Sequence, residues 1–212
     1  MKNQLGGGSR SNHRFAGISR GKIMIRCDKD TPDAKLFTNT KNEEYYAQVY
    51  DEFTGYVKGI EFKQSNLKED QMDVVITIDT HEDHLTKLQT KVGGGYWFNL
   101  SKMLLLADLS LPVTFSPSYK DEKASMFLSQ DSTSLKCKYT KDNPGDLPQG
   151  EKLVAGKTVV WDFSAQNEFL MNELTNLSFY STGAADKFAK SDEIEPEAEK
   201  QGGEDDNDDL PF

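Results

Sequence analysis

Flat rings and cations recur side by side along this chain. Tyr46, Tyr50 and Tyr56 stand beside Lys58 and Lys63, Tyr96 and Trp97 lie near Lys91 and Lys102, and Lys136 and Lys138 alternate with Cys137 and Tyr139. A further set of cations, Lys2, Arg10, Arg14, Arg20, Lys22 and Arg26, occupies the first 26 residues with no acid among them. Rings stack on nucleic-acid bases whatever the base, and cations spaced along a groove neutralise phosphates, so this mixture suits a sequence-tolerant single-strand surface. The candidate contacts are Arg10, Arg14, Arg20, Lys22, Arg26, Tyr46, Tyr50, Tyr56, Lys58, Lys63, Tyr96, Trp97, Lys136 and Lys138. Strand alternation puts Tyr46 and Tyr50 on one face with Gln48 and Glu52, which predicts a wet face with rings free to stack. It puts Tyr45 with Ala47 and Val49, which assigns Tyr45 to the core.

Other chemistries find less support. Gly93-Gly94-Gly95 lacks the Lys-Ser/Thr of a phosphate-cradling Walker loop and the spacing of a dinucleotide fold. It reads equally as a loop over a binding groove or as a plain connector. His81-Glu82-Asp83-His84 sits on a polar turn without paired cysteines, and Cys27 and Cys137 fall in separate runs, so no zinc site is expected. No nucleophile elbow or zinc-protease helix appears, and no catalysis or cofactor is expected.

Composition sorts charge along the chain. Residues 184–212 hold 11 acidic and 3 basic residues, a net of −8, while residues 1–183 hold 24 and 22, a net of −2. A basic start, near-neutral middle and acidic end point toward a nucleic-acid partner. No apolar run of membrane-spanning length or secretory hydrophobic segment is present, so a cytoplasmic protein with reduced, buried or half-buried thiols and no membrane partner is expected.

The elements that must hold these residues read as follows. Residues 1–21, rich in Gly and Ser and basic, are expected to be a flexible arm. A domain over residues 22–183 opens on a strand at 22–27, and residues 31–42 read as a loop. A strand pair spans residues 45–63 with a turn at Phe53-Thr54-Gly55, and Gly59 marks a bulge or a close backbone approach. Another strand runs over 72–79. Leu100, Met103, Leu104 and Ala107 have helical spacing, with Asn99 as candidate N-cap. Strands are predicted at 113–115, 124–129, 135–140 and 158–164, and a second helix at 167–177. The count is six or seven strands with one or two helices: a mostly β chain that fits an OB-fold, other small barrels or small sandwiches. Residues 184–212 read as a disordered acidic tail.

That tail ends Asp205-Asp206-Asn207-Asp208-Asp209-Leu210-Pro211-Phe212. A terminal ring with its α-carboxylate, behind an aspartate run, is a compact anchor for a partner pocket with a basic rim. The ending resembles the acidic tip of bacterial single-stranded DNA-binding proteins, which close in Asp-Asp-Ile-Pro-Phe. The resemblance covers the tail alone. It implies an OB-fold-like small barrel, single-stranded DNA as ligand, and recruitment of a polymerase, helicase, primase or nuclease through Asp205, Asp206, Asp208, Asp209, Leu210, Pro211 and Phe212. With the basic arm, the chain looks like a phage-encoded member of that class, acting in replication, recombination and repair in the host cytoplasm. An adaptor or inhibitor whose tail mimics DNA or a host tip, a strand-annealing recombinase, and self-association all stay open.

Overall fold

The structure is a computed structural model that describes residues 13–39, 42–65, 70–82, 84–155 and 158–179, the side chains at 155 and 158 excepted. Seven strands come first: β1 His13–Ser19, β2 Lys22–Arg26, β3 Lys35–Thr38, β4 Glu44–Tyr50, β5 Phe53–Gln64, β6 Met72–Asp79 and β7 Leu85–Lys91. Helix α1 (Trp97–Leu104) follows, then β8 Val113–Lys120, β9 Lys123–Gln130, the short β10 Thr133–Ser134, a hairpin of β11 Glu151–Ala155 and β12 Thr158–Asp162, and α2 Ser164–Thr175. Ten strands form one sheet in the order β10-β9-β8-β5-β6-β7-β1-β2-β4-β3, and β11 and β12 form a separate two-stranded sheet.

The fold is mostly β and OB-like. An antiparallel meander β5-β6-β7 leads into α1 and then the β8–β9 hairpin, and β5 is shared between β6 and β8. Gly55 permits this sharing, because a Cβ there would sit 2.6 Å from the Asp79 carbonyl oxygen. The register shifts between Val57 and Gly59, the bulge expected at that glycine. Val57, Val74, Ile76, Ile78 and Leu88 point into the core, and Trp97, Leu100, Met103 and Leu104 of α1 pack on them with Leu170 and Leu174 of α2. Among the described residues no helix is long and apolar enough to cross a membrane. Cys27 and Cys137 are free and half-buried.

Several sequence expectations need correction. Residues 13–21 do not belong to an arm. β1 lies inside the sheet, parallel to β7 and antiparallel to β2, with Ala16 buried. Its turn into β2 uses Gly21 at φ +73°, where a Cβ would meet the Tyr119 backbone nitrogen at 2.7 Å, so the β1–β2 hairpin packs against the end of β8. The expected loop at 31–42 contains β3, paired with β4. β4 and β5 are consecutive but do not pair, since β4 joins β2 and β3 while β5 joins β6 and β8. The turn falls before Phe53, which opens β5 and is buried. Asn99 lies inside α1, whose N-cap is Tyr96. Residues 135–140 form no strand, and Lys138 N–H instead donates to the Lys102 carbonyl at 3.0 Å. Residues 1–12, with Arg10, and the whole tail with its tip Asp205, Asp206, Asp208, Asp209, Leu210, Pro211 and Phe212 lie outside the described residues.

Candidate nucleic-acid interface

Strand pairing fixes which side chains share a face, because register partners project to the same side. Ile23 and Ile25 of β2 point into the core, and their partners on β4 are Tyr50 and Gln48. Tyr46 and Tyr50 therefore lie on the core-side row, reversing the expected assignment. Tyr50 packs edge-on to Phe53 at 6.4 Å, and its hydroxyl donates to Gln48 Oε1 at 2.9 Å. Tyr45 lies on the opposite, outer row.

That outer row crosses seven strands. It carries Lys35 and Phe37 on β3, Tyr45 on β4, Lys22, Met24 and Arg26 on β2, Phe15 and Gly17 on β1, Lys87, Gln89 and Lys91 on β7, Asp73 on β6 and Lys63 on β5. Phe37 stacks on Tyr45 with centroids 5.8 Å apart, and the Arg26 guanidinium lies 4.7 Å from the Tyr45 ring centre. Phe15 is 54 % exposed, with Lys63 Nζ at 5.8 Å from its ring. Six inter-strand steps of about 4.8 Å make this row roughly 30 Å long. Such a length suits the lower part of the about 4–16 nucleotides that an OB-fold covers.

A cleft of about 520 Å³ opens at its centre, lined by Phe15, Gly17, Met24, Arg26, Tyr45, Gln89, Lys91, Gly94, Gly95 and Tyr96, among others. Its floor is kept low by small residues. A Cβ on Gly17 would meet nothing within 4 Å, so this mid-strand glycine fronts open space. A Cβ on Gly95 would meet Ala124 Cβ at 2.7 Å, so the glycine loop lies tightly on β9. Gly94 and Gly95 are thus part of the cleft wall, while Gly93 lies against Asn167. Tyr96 is half-buried beside it, its hydroxyl accepting the Gly21 N–H at 2.8 Å. Asp73 is buried at one edge, accepts Gln89 Nε2–H at 2.8 Å, and stands in register between Lys63 and Lys91. Glu61 and Asp79 share this row, so its three acids face the six cations Lys22, Arg26, Lys35, Lys63, Lys87 and Lys91 and the face stays basic.

Of the expected contacts, the outer row gathers Lys22, Arg26, Lys63 and, toward its far end, Tyr56, while Tyr96 lines the cleft from the loop before α1. Lys22 is paired with Asp51. Tyr56 and Lys58 lie near the far end of β5, the ring edge-on to His81 at 5.0 Å and 5.3 Å from the Lys58 ammonium. Arg20 is exposed in the β1–β2 turn at φ +46°. Others are used elsewhere. Arg14 points to the core side, where its guanidinium donates to Thr86 Oγ1 at 2.8 Å and pairs with Glu82 at 2.5 Å. Trp97 is fully buried, edge-on to Phe62 at 5.9 Å, with its indole N–H donating to Asn167 Oδ1 at 2.9 Å. Lys138 donates to Glu173 Oε2 at 2.7 Å, tying the loop to α2, and Tyr139 O–H donates to the same oxygen at 3.1 Å. These bonds, Lys138 first, hold the Glu173 carboxyl below its ordinary range, and the Glu173 partner raises Lys138. Lys136 is exposed on the same loop, away from the cleft lining.

Sequence reasoning missed Phe15, Tyr45, Met24 and Phe37. The signal for Phe15 was available in the alternation of Phe15, Gly17 and Ser19 with Ala16 and Ile18. Among the described residues no cluster of three or more His, Cys, Asp or Glu could hold a metal. No family model, curated protein or solved structure matches this chain.

Proposed function

We propose that this chain is a non-enzymatic single-stranded DNA-binding protein that lays the strand across the outer row. The observation that carries the reading is the alignment of exposed or half-buried Phe15, Tyr45 and Tyr96 with Arg26 and Lys91 around a cleft with an open glycine floor, with Lys63 beside the Phe15 ring. Rings supply stacking that tolerates any base, and the cations follow the phosphates. The same OB-like topology is a recurrent carrier of oligonucleotide sites on a sheet face. The C-terminal tip, on its likeness to the tips of bacterial single-strand binders, recruits a replication or recombination enzyme through the Phe212 ring and the aspartates. Free, half-buried cysteines fit a reducing cytoplasm, that of the host for a phage-borne chain.

The test is an electrophoretic shift with labelled oligo-dT against duplex of equal length, over a salt series. Preference for oligo-dT, with a logarithmic salt slope of about −0.7 per neutralised phosphate, supports the reading. Absence of retention on single strands overturns it and favours an adaptor whose tail mimics DNA.

A further inference from the structure

The β11–β12 hairpin forms a sheet of its own, separate from the ten-stranded sheet and its outer row. Leu153, Val154, Val159, Val160 and Trp161 are exposed by 48, 67, 48, 52 and 55 %. Register puts Leu153 and Val160 on one face and Val154 and Val159 on the other, so both faces of a two-stranded sheet are apolar. Its outer edges are unpaired among the described residues. An isolated hairpin of this kind is marginal in water, and three or more strands are needed for independent stability. The root is nevertheless firmly placed. Phe163 packs edge-on to Phe98 at 5.5 Å, and the missing Cβ of Gly150, which would lie 2.4 Å from the Phe163 ring, makes room for it. The hairpin is therefore presented from a fixed base.

We infer that this hairpin is the contact between two copies of the chain, joined about a two-fold axis through antiparallel pairing of β12 with β12. Charge favours a protein over a nucleic acid here, because Glu151 and Asp162 balance Lys152 and Lys157 and leave no excess for phosphates. The β12 edge is also unguarded, with no charge or proline from residue 158 to residue 161. Sheets normally protect such edges, and an unprotected one is a template for another strand. Antiparallel pairing centred on Val160 sets Val160 against its own copy and Val159 against Trp161, a β-branched–aromatic pair of the favourable kind. Two hairpins then make a four-stranded sheet. Val159, Val160 and Trp161 of each copy meet across the new pair, with Leu153 and Val154 one strand further out, so the contact is a small one held by main-chain bonds and these side chains. A two-fold contact uses one patch on both copies, so this single hairpin suffices.

The full-length chain, freed of nucleic acid in high salt, is followed by sedimentation velocity over a concentration series. Wild type is expected to approach dimer mass. Val160→Lys places like charges opposite each other and should sediment as monomer with an unchanged melting curve, since Val160 is not in the core. As a second arm, Val160→Cys under mild oxidation should give a disulfide-linked dimer beyond any wild-type background from Cys27 and Cys137. Antiparallel partners lie about 4.5–5.5 Å apart at Cα, within disulfide reach. Wild type that stays monomeric, a Val160→Lys protein that keeps dimer mass, or a Val160→Cys protein that cross-links no more than wild type overturns the inference. Oligo-dT binding by a monomer would leave the DNA reading intact, so the two proposals fail separately.

Discussion

Gly17→Val separates folding from binding at the centre of the proposed surface. Gly17 lies mid-strand in β1, and a Cβ there meets nothing within 4 Å. Replacing it by a β-branched residue removes the entropic cost of glycine and adds strand propensity, about 0.5–1 kcal/mol of stability. For a chain of this size that raises the melting temperature by roughly 1–4 °C. The same isopropyl group stands up from the cleft floor among Phe15, Met24 and Tyr45 and keeps a base from settling there. Loss of one stacked base costs about 1–3 kcal/mol, roughly 5- to 150-fold in affinity for oligo-dT. Charge is unchanged, so the salt slope should not move. Thermal melting and fluorescence anisotropy on one preparation read both effects. A protein that is stabilised yet binds as wild type would show that the strand does not cross Gly17. A destabilised protein would show that the space above Gly17 is not open.

Other perturbations probe the frame around the site. Removing residues 1–12 should leave melting unchanged, whereas removing residues 1–21 takes β1 from the middle of the sheet and should abolish cooperative melting; a 22–212 protein that melts like wild type would refute the placement of β1. Glu173→Gln should cost less than about 1 kcal/mol, because the pair with Lys138 is more than one-third exposed on the lysine side and screened. Since the Glu173 pKa is lowered in the folded state, its contribution is complete above the ordinary glutamate value of about 4.3 and is lost as pH falls through the lowered value. Wild type and Glu173→Gln should therefore converge in stability at acid pH, and a gap that widens there would contradict the sign. Deleting residues 204–212 removes five acids and should raise oligo-dT affinity, most at low salt. Phe212→Ala should leave DNA affinity alone and lose capture of the recruited enzyme; retention of every wild-type partner would end the docking role of the tip.

The OB-like frame was legible because Val74, Ile76 and Ile78 alternate with Asp73, Thr77 and Asp79 as inward and outward residues do, although Val75 on the other row is buried as well. β1 was hidden by its neighbours in sequence: it has few aliphatics, and its Gly and Ser continue the composition of the preceding twelve residues. β3 sits at the sheet edge, where Leu36 is 51 % exposed, so the inside–outside contrast that reveals strands is absent. The exchange of Tyr45 and Tyr46 has a physical origin in tyrosine itself, whose apolar body and polar tip suit either face. Only the isoleucines of β2, brought alongside by pairing, decide which row turns inward. Trp97 was legible in principle, since it lies three residues before Leu100 and seven before Leu104 on the buried stripe of α1. Taking Asn99 as the cap cut it from the helix. Lys138 misled because alternation over residues 135–139 imitates a strand, while hydrogen bonds to Glu173 and Lys102 hold that segment as a loop.

The most direct measurement compares oligo-dT affinity for two multiple variants that alter opposite faces of the same sheet. Phe15→Ala/Arg26→Ala/Tyr45→Ala clears the outer row, and Tyr46→Ala/Tyr50→Ala clears the core-side row, with thermal melting as the check on folding. Two lost stacks of about 1 kcal/mol or more each should weaken the first variant at least roughly 30-fold. Loss of one phosphate contact should make its salt slope shallower by about 0.7. The second variant, once shown to be folded, should bind as wild type. Wild-type affinity in the folded outer-row variant, with binding lost in the Tyr46/Tyr50 variant, would contradict the assignment of the DNA-binding face.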